Sequence, residues 1–206
     1  LPSPTRASIV FALRFLKVPA MAYIGTGVEY ALHCLLWLVA PQEQRPSSRD
    51  LADIQGVPPA FVAKIFSKLE KAGIVEASGG IRGGYRLARP AEDISVLDVV
   101  DAVEGKKALF DCQEIRGRCP LLDEESSTLA TRGVCGINAV MLNAQKVMRA
   151  ELAKSSLAVL AAGVLAKGVP AGFANEAKVW FAERHAAREG ARIDGMRARS
   201  TARGDD

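Results

Sequence analysis

The chain has 206 residues, 49% of them apolar, enough for one or two domains with a buried core. Only 6% are aromatic and alanine is abundant, which favours helices, while a net charge of +4 permits a nucleic-acid partner without arguing for one alone. No run of about 18 clean apolar residues exists, and there is no Ser/His/Asp set, phosphate loop or pair of catalytic acids, so neither a membrane span nor an enzyme with a small-molecule substrate is expected.

Residues 1–20 are basic and apolar, but Arg14 and Lys17 interrupt the run. They read as an N-terminal extension, with an amphipathic anchor as the alternative, and a secretory signal is not expected. The expected compartment is a reducing cytoplasm, where cysteines serve metals or redox chemistry rather than structural disulfides.

From residue 27 to 40, Val28, Leu32, Leu35, Leu36 and Val39 recur at helical spacing. A loop over 41–46 leads to a second helix over 49–55, with Ser47 or Ser48 as its cap. Gly56-Val57-Pro58 is a turn, and a third helix is predicted over 59–72, ended by Gly73. Short strands at 74–77 and 85–87 flank a glycine-rich tip and predict a hairpin. A small helix follows over 95–103, then a segment over 105–133 that reads mostly as loop. A long helix over 137–152 carries Val140, Met141, Ala144, Val147, Met148 and Leu152 on one face, and a further helical piece reaches 165. The Ala/Arg-rich remainder predicts a helix near 174–188 and a disordered end.

The expected fold is mainly α with a small β-hairpin wing: a winged helix-turn-helix plus a long dimerisation helix. The domains fall at 1–20 (extension), 21–90 (DNA-binding), 91–134 (linker helix and cysteine-bearing loop), 135–165 (dimerisation) and 166–206 (partly disordered tail).

Two short helices around a glycine turn are the helix-turn-helix signature. Burying Val62, Ile65, Phe66 and Leu69 leaves Ala60, Lys64, Ser67, Lys68 and Lys71 on the opposite face, where small and cationic residues suit a major groove and its phosphates. Arg82 at the glycine-rich tip suits a minor groove, with Tyr85 and Arg86 on the returning strand as further DNA-contact candidates. Six Lys/Arg against two acids over 59–90 give way to ten acids against five bases over 91–135, as expected of a DNA-contacting surface followed by a regulatory segment.

Cys112, Cys119 and Cys135 follow with the spacing C-x6-C-x15-C, poor for a zinc knuckle but open to iron–sulfur or thiol redox chemistry. Cys135 at the start of the long helix is the strongest thiolate candidate, and Cys119 lies between Arg118 and Pro120. Cys34 sits in an apolar helical face with Trp37 and Leu38 and reads as core. Glu29 and His33, four residues apart, share one face of the first helix.

Val28-Glu29-Tyr30-Ala31-Leu32, Leu51-Ala52 with Gly56-Val57, Lys68-Leu69 with Lys71-Ala72-Gly73-Ile74-Val75, Gly83-Gly84-Tyr85-Arg86-Leu87 and the run from Ile94 to Val100 together resemble the Rrf2 family of bacterial winged-helix regulators, over roughly residues 21–160. Gly27-Val28-Glu29-Tyr30-Ala31-Leu32-His33 and the run from Phe110 to Arg116 are most similar to its RsrR-type subgroup. That resemblance implies a [2Fe–2S] cluster held by Glu29 and His33 of one subunit and two cysteines of the other. The subgroup's middle cysteine lies close before the last one, whereas residues 120–134 contain none here and Cys119 stands elsewhere. Cys112, the counterpart of a non-ligand in that subgroup, joins Cys119 as a candidate because three-cysteine ligation occurs elsewhere in the family. Tyr30, next to Glu29, is a candidate for movement coupled to the redox change. The expected function is a homodimeric regulator of double-stranded promoter DNA switched by the cluster. A cluster-free thiol repressor of the same fold is the alternative, and a non-DNA interaction module the less favoured one.

Overall fold

The computed structural model describes residues 23–40, 44–79, 83–170 and 172–203, with the side chains of 198–203 outside that description. Helix α1 (Thr26–Val39) is followed by α2 (Ser48–Gln55) and α3 (Pro59–Lys71). Strands β1 (Val75–Ser78) and β2 (Gly84–Leu87) pair antiparallel with Val75 opposite Leu87 and Ser78 opposite Gly84. Helices α4 (Val96–Glu104), α5 (Glu124–Thr131), α6 (Gly136–Lys154), α7 (Leu157–Ala166) and α8 (Phe173–Arg203) complete the order. Mainly helical with one hairpin, this is the expected winged-helix class.

The local reasons are explicit. Ser47 and Asp50 form a reciprocal capping box at the start of α2, as do Ser95 and Asp98 at α4. Gly56, at φ 64°, ends α2 in the left-handed conformation that gives the helix-turn-helix its sharp corner. Val28, Ala31 and Leu35 of α1, Leu51 of α2, the stripe Val62, Ile65, Phe66 and Leu69 of α3, Ile74, Val75, Ile94 and Val99 form one core, joined by Leu157 and Phe181 from α7 and α8. Cys34 is fully buried in it as expected, its thiol pushed up to about 12 by burial.

Two segments differ from the sequence expectation. The cysteine-bearing stretch contains α5, capped by Asp123 accepting from the Ser126 N–H at 2.8 Å. It buries no residue, so no apolar periodicity announces it. The tail, expected partly disordered beyond 188, is helical to Arg203. Ala177, Phe181 and His185, one helical face, are buried and anchor it to the winged helix. His185, isolated in sequence, is thus part of the interior.

Among the described residues no helix is long and apolar enough to cross a membrane.

Candidate nucleic-acid interface and metal centre

With its apolar stripe buried, α3 exposes Lys64, Ser67 and Lys71, which share one face by their i, i+3, i+7 spacing. Lys68 behaves differently. Its Nζ donates to the Val103 carbonyl at 2.5 Å, in the last turn of α4, where a helix leaves its carbonyls without partners. Tyr85 sets its ring edge against Phe66 with centroids 4.8 Å apart, and its backbone N–H donates to Pro46 at 2.9 Å. Arg86 pairs with Glu76, its partner across the hairpin, and Arg45 adds a second guanidinium at 3.4 Å. The Arg86 hydrogen bond, followed by the charges of Arg86 and Arg45, holds the Glu76 carboxyl below the usual carboxylate range. A Cβ on Gly84 would fall on the Arg45 carbonyl, so only glycine lets the wing strand close on the loop before α2. Arg82 lies outside the described residues. Lys64, Ser67 and Lys71 therefore stand open on the reading face, while Lys68, Tyr85 and Arg86 have intramolecular partners.

Helix α1 exposes Glu29 and His33 one turn apart, and both line an open groove with Val96 and Val100 of α4 and Leu152 of α6. Between them Tyr30 turns the other way, its ring edge-on to Phe61 in the first turn of α3 at 5.7 Å and 82°. Gly27 crosses close to Val103, where a Cβ would sit 3.2 Å from a Val103 methyl. The start of α1 has no side-chain cap of its own; the Glu104 carboxylate accepts from the Gly25 N–H at 3.2 Å instead.

The cysteine loop is organised by Arg116. Its guanidinium meets both oxygens of Glu114 at 2.6 and 2.7 Å and donates to the Thr131 and Gly133 carbonyls at 3.1 and 2.9 Å. Glu114 first, and then Cys135 and Cys112, push the Arg116 guanidinium toward its charged form. Cys112 and Cys135 are half-buried beside the same cation, whereas Cys119 is exposed at the end of a short 3-10 turn, Arg116–Arg118. The loop is fixed to α6 by the Leu109 N–H donating to Gln145 Oε1 at 2.6 Å. Sequence reasoning missed Arg116 as the organiser; a lone arginine midway between two cysteines was the available signal.

The two half-sites sit at opposite ends of α6. Cys135 is its N-cap, while Leu152, seventeen residues on, lines the Glu29/His33 groove. At 1.5 Å per residue that is about 25 Å. Among the described residues no three His, Cys, Asp or Glu side chains of one chain converge as metal ligands. A cluster using both half-sites fits only across two copies.

Helix α6 buries none of its residues, and Ile137, Val140, Leu142 and Val147 are at least half exposed. Asp101 and Arg149 fix its angle through a bidentate pair at 2.8 and 2.7 Å, linking α4 to α6.

Comparison with known proteins gives a consistent result. The Rrf2 family model, described as "Iron-dependent Transcriptional regulator", matches residues 24–163. Protein aau3 of Rhizobium meliloti (strain 1021) is 35% identical over 117 residues, covering 56% of this chain and 70% of that protein. The HTH-type transcriptional regulator IscR of Cereibacter sphaeroides is 38% identical over 84 residues, 39% of this chain and 54% of that protein, so the match spans about half of its length. The solved structure of T. potens IscR has a TM-score of 0.53 at 22% identity, covering 73% of this chain and 94% of that one, and supports the fold. The relatives are regulators of transcription, not enzymes.

Proposed function

The chain belongs to the Rrf2 family of transcriptional regulators, and from that premise we propose that it acts as a homodimer whose affinity for promoter DNA is switched by an iron–sulfur cluster, of the [2Fe–2S] type, held between the two copies. The observation that carries this reading is that one helix serves both tasks. α1 presents Glu29 and His33 to an open groove and, through Tyr30, packs on Phe61 at the start of the recognition helix. A change at the donor pair thereby has a short, packed route to the DNA reader. Affinity changes to the extent that cluster states favour one α1–α3 arrangement over the other.

Carboxylate and imidazole with two thiolates form a mixed donor set compatible with a [2Fe–2S] centre, and histidine ligation raises its potential relative to four thiolates. The two half-sites at opposite ends of α6 support ligation by Cys135 and Cys112 of one copy with Glu29 and His33 of the other, and Cys119 stands at the rim. The exposed apolar face of α6 supports pairing of the two copies, because a contiguous apolar patch of that kind marks an interface. Such a dimer has two-fold symmetry and reads a pseudo-palindromic site through its paired α3 helices.

Anaerobic purification, a visible spectrum and iron and sulfide analysis test the proposal. The expected result is a coloured protein with two irons and two sulfides per site, whose absorption is lost in both Cys135→Ser and His33→Ala. A colourless protein after reconstitution refutes the cluster. The placement of Cys112 and Cys135 at one guanidinium favours a second reading, a thiol switch that forms a Cys112–Cys135 disulfide when an oxidant removes two electrons and two protons. In that case Glu29→Ala and His33→Ala leave the redox response of DNA binding intact.

A further inference from the structure

Helix α8 lies beyond the matched family segment, and its course fixes where its charges go. It starts beside the end of α1, where Phe173 and Phe181 meet Trp37 with ring centroids at 5.7 and 6.0 Å. Farther along, Arg184 pairs with Asp53 in α2, and Arg188 pairs with Asp50 and donates to Ser47 Oγ at 3.0 Å. α8 therefore runs antiparallel along the first helix of the helix-turn-helix, from its last turn to its N-cap. The residues before that N-cap support the wing, through Pro46 on Tyr85 and Arg45 on Glu76. The start of α2 and the base of the wing thus lie together, and helix N-termini of DNA readers are habitual phosphate contacts.

α8 does not stop there. Fifteen residues, 189–203, continue past Arg188, a further length of about 22 Å. Its arginines are not scattered. Arg184, Arg188, Arg192, Arg199 and Arg203 follow at steps of four, four, seven and four, which places them on one helical face. The first two are engaged by Asp53 and Asp50. The last three extend the same face beyond the end of α2, and Arg192 is exposed. The only acids after Arg188 within the helix, Glu189 and Asp194, are off this stripe. A cationic stripe that continues from the helix-turn-helix toward its DNA-facing edge matches a polyanion in charge and direction.

We propose that the distal part of α8 is a phosphate-binding arm, with Arg192, Arg199 and Arg203 extending contact to the duplex backbone beyond the recognition helix and the wing. This rests on the winged helix binding DNA. The partner is the sugar–phosphate chain rather than a base sequence, so the arm adds affinity and footprint without adding specificity.

The test uses the full chain and a 40-base-pair duplex of random sequence, read by fluorescence anisotropy between 50 and 200 mM salt. The variants are a triple alanine substitution (Arg192→Ala, Arg199→Ala, Arg203→Ala), the corresponding triple lysine substitution, and Lys64→Ala with Lys71→Ala in the recognition helix. Three lost phosphate contacts flatten the slope of log affinity against log salt by up to about 2.7, equivalent to as much as about 500-fold in affinity at 0.1 M salt. The triple lysine variant restores most of the slope, because lysine also neutralises phosphate. A triple alanine variant that keeps its helix content and binds with the wild-type slope and affinity overturns the arm. Tighter binding overturns it too, because the arm would then be a block. Weakening by the Lys64/Lys71 substitutions alone leaves the DNA reading standing and sinks the arm. A wild-type chain that fails to bind the duplex at 50 mM salt sinks both.

Discussion

Replacing Asp50 by asparagine tests how the tail helix is held on the DNA-binding domain. Asp50 is only 2% exposed, yet it carries a charge. Its carboxylate accepts from the Ser47 N–H and hydroxyl at 2.8 Å each, pairs with Arg188, and lies 3.7 Å from Arg184. Asparagine keeps the volume and one acceptor for the cap, so the main loss is the ion pair. Removing one partner of a fully buried pair costs about 3–5 kcal/mol, but the Arg188 side chain is 29% exposed, which reduces the penalty to about 2 kcal/mol. For a chain of this size that corresponds to a melting temperature lower by about 4–8 °C. Arg188→Met costs nearly as much, because it leaves the enclosed carboxylate with one distant cation. Arg184→Met costs less than about 1 kcal/mol, since Arg184 and Asp53 are 40% and 35% exposed. Thermal unfolding followed by circular dichroism, arranged as a double-mutant cycle between Asp50→Asn and Arg188→Met, gives the coupling directly. Equal costs for Arg188→Met and Arg184→Met, or a coupling near zero, would refute burial as the source of the clamp's strength.

The Asp101–Arg149 pair links stability to pH. The Arg149 hydrogen bond, helped by the charges of Arg149 and Lys106, lowers the Asp101 pKa below its ordinary value, so its contribution is present above the unfolded carboxylate pKa of about 3.9 and is lost as pH falls through the folded value. Arg149→Met should cost about 1 kcal/mol at pH 7 and reduce the acid dependence measured by urea unfolding between pH 2 and 6; an unchanged acid slope would contradict the assignment. Lys68→Ala should lower the melting temperature by a few degrees, through loss of the bond to Val103, and leave the salt slope of DNA binding unaltered, whereas Lys64→Ala should flatten that slope by about 0.9. Gly84→Ala should displace β2 from the Arg45 loop and cost about 1–3 kcal/mol with weaker DNA binding; wild-type behaviour in both assays would show that the loop yields freely.

The helices that build the winged domain were legible because their signals are local. Ser47 and Ser95 cap their helices, Gly56 turns the chain, and the α3 stripe has clean helical spacing. Long-range partnerships carry no such signal. Ser47 and Arg188 meet across 141 positions, and nothing near either residue announces the other. Lys68 shows the corresponding error at the site. Its place opposite the buried stripe suggested a phosphate contact, but a long lysine side chain reaches whatever acceptor lies nearest, and here the open carbonyl end of α4 is within reach. The ranking of the cysteines failed similarly. Cys119 had a neighbouring arginine in sequence, but Arg116 gathers Cys112 and Cys135 instead, because its fork is fixed by Glu114 and two backbone carbonyls of the residues leading into α6.

The geometry of α6 determines what kind of switch the chain can contain. A helix separating donor sets by about 25 Å makes each copy incomplete, so cluster binding and dimer formation become linked equilibria. A site that needs both copies is stabilised by dimerisation, and the dimer is stabilised by the cluster to the same extent, because coupling between two binding events is reciprocal. Arg149 on Asp101 sets the angle at which α6 leaves α4, while Glu104, in the last turn of that same α4, holds the start of α1. The element that orients the dimer interface therefore also fixes the helix bearing Glu29, His33 and Tyr30. Arg149→Met should accordingly lower dimer affinity and cluster occupancy together, measured by sedimentation velocity and iron content on one preparation. Loss of either without the other would show that α4 does not join them.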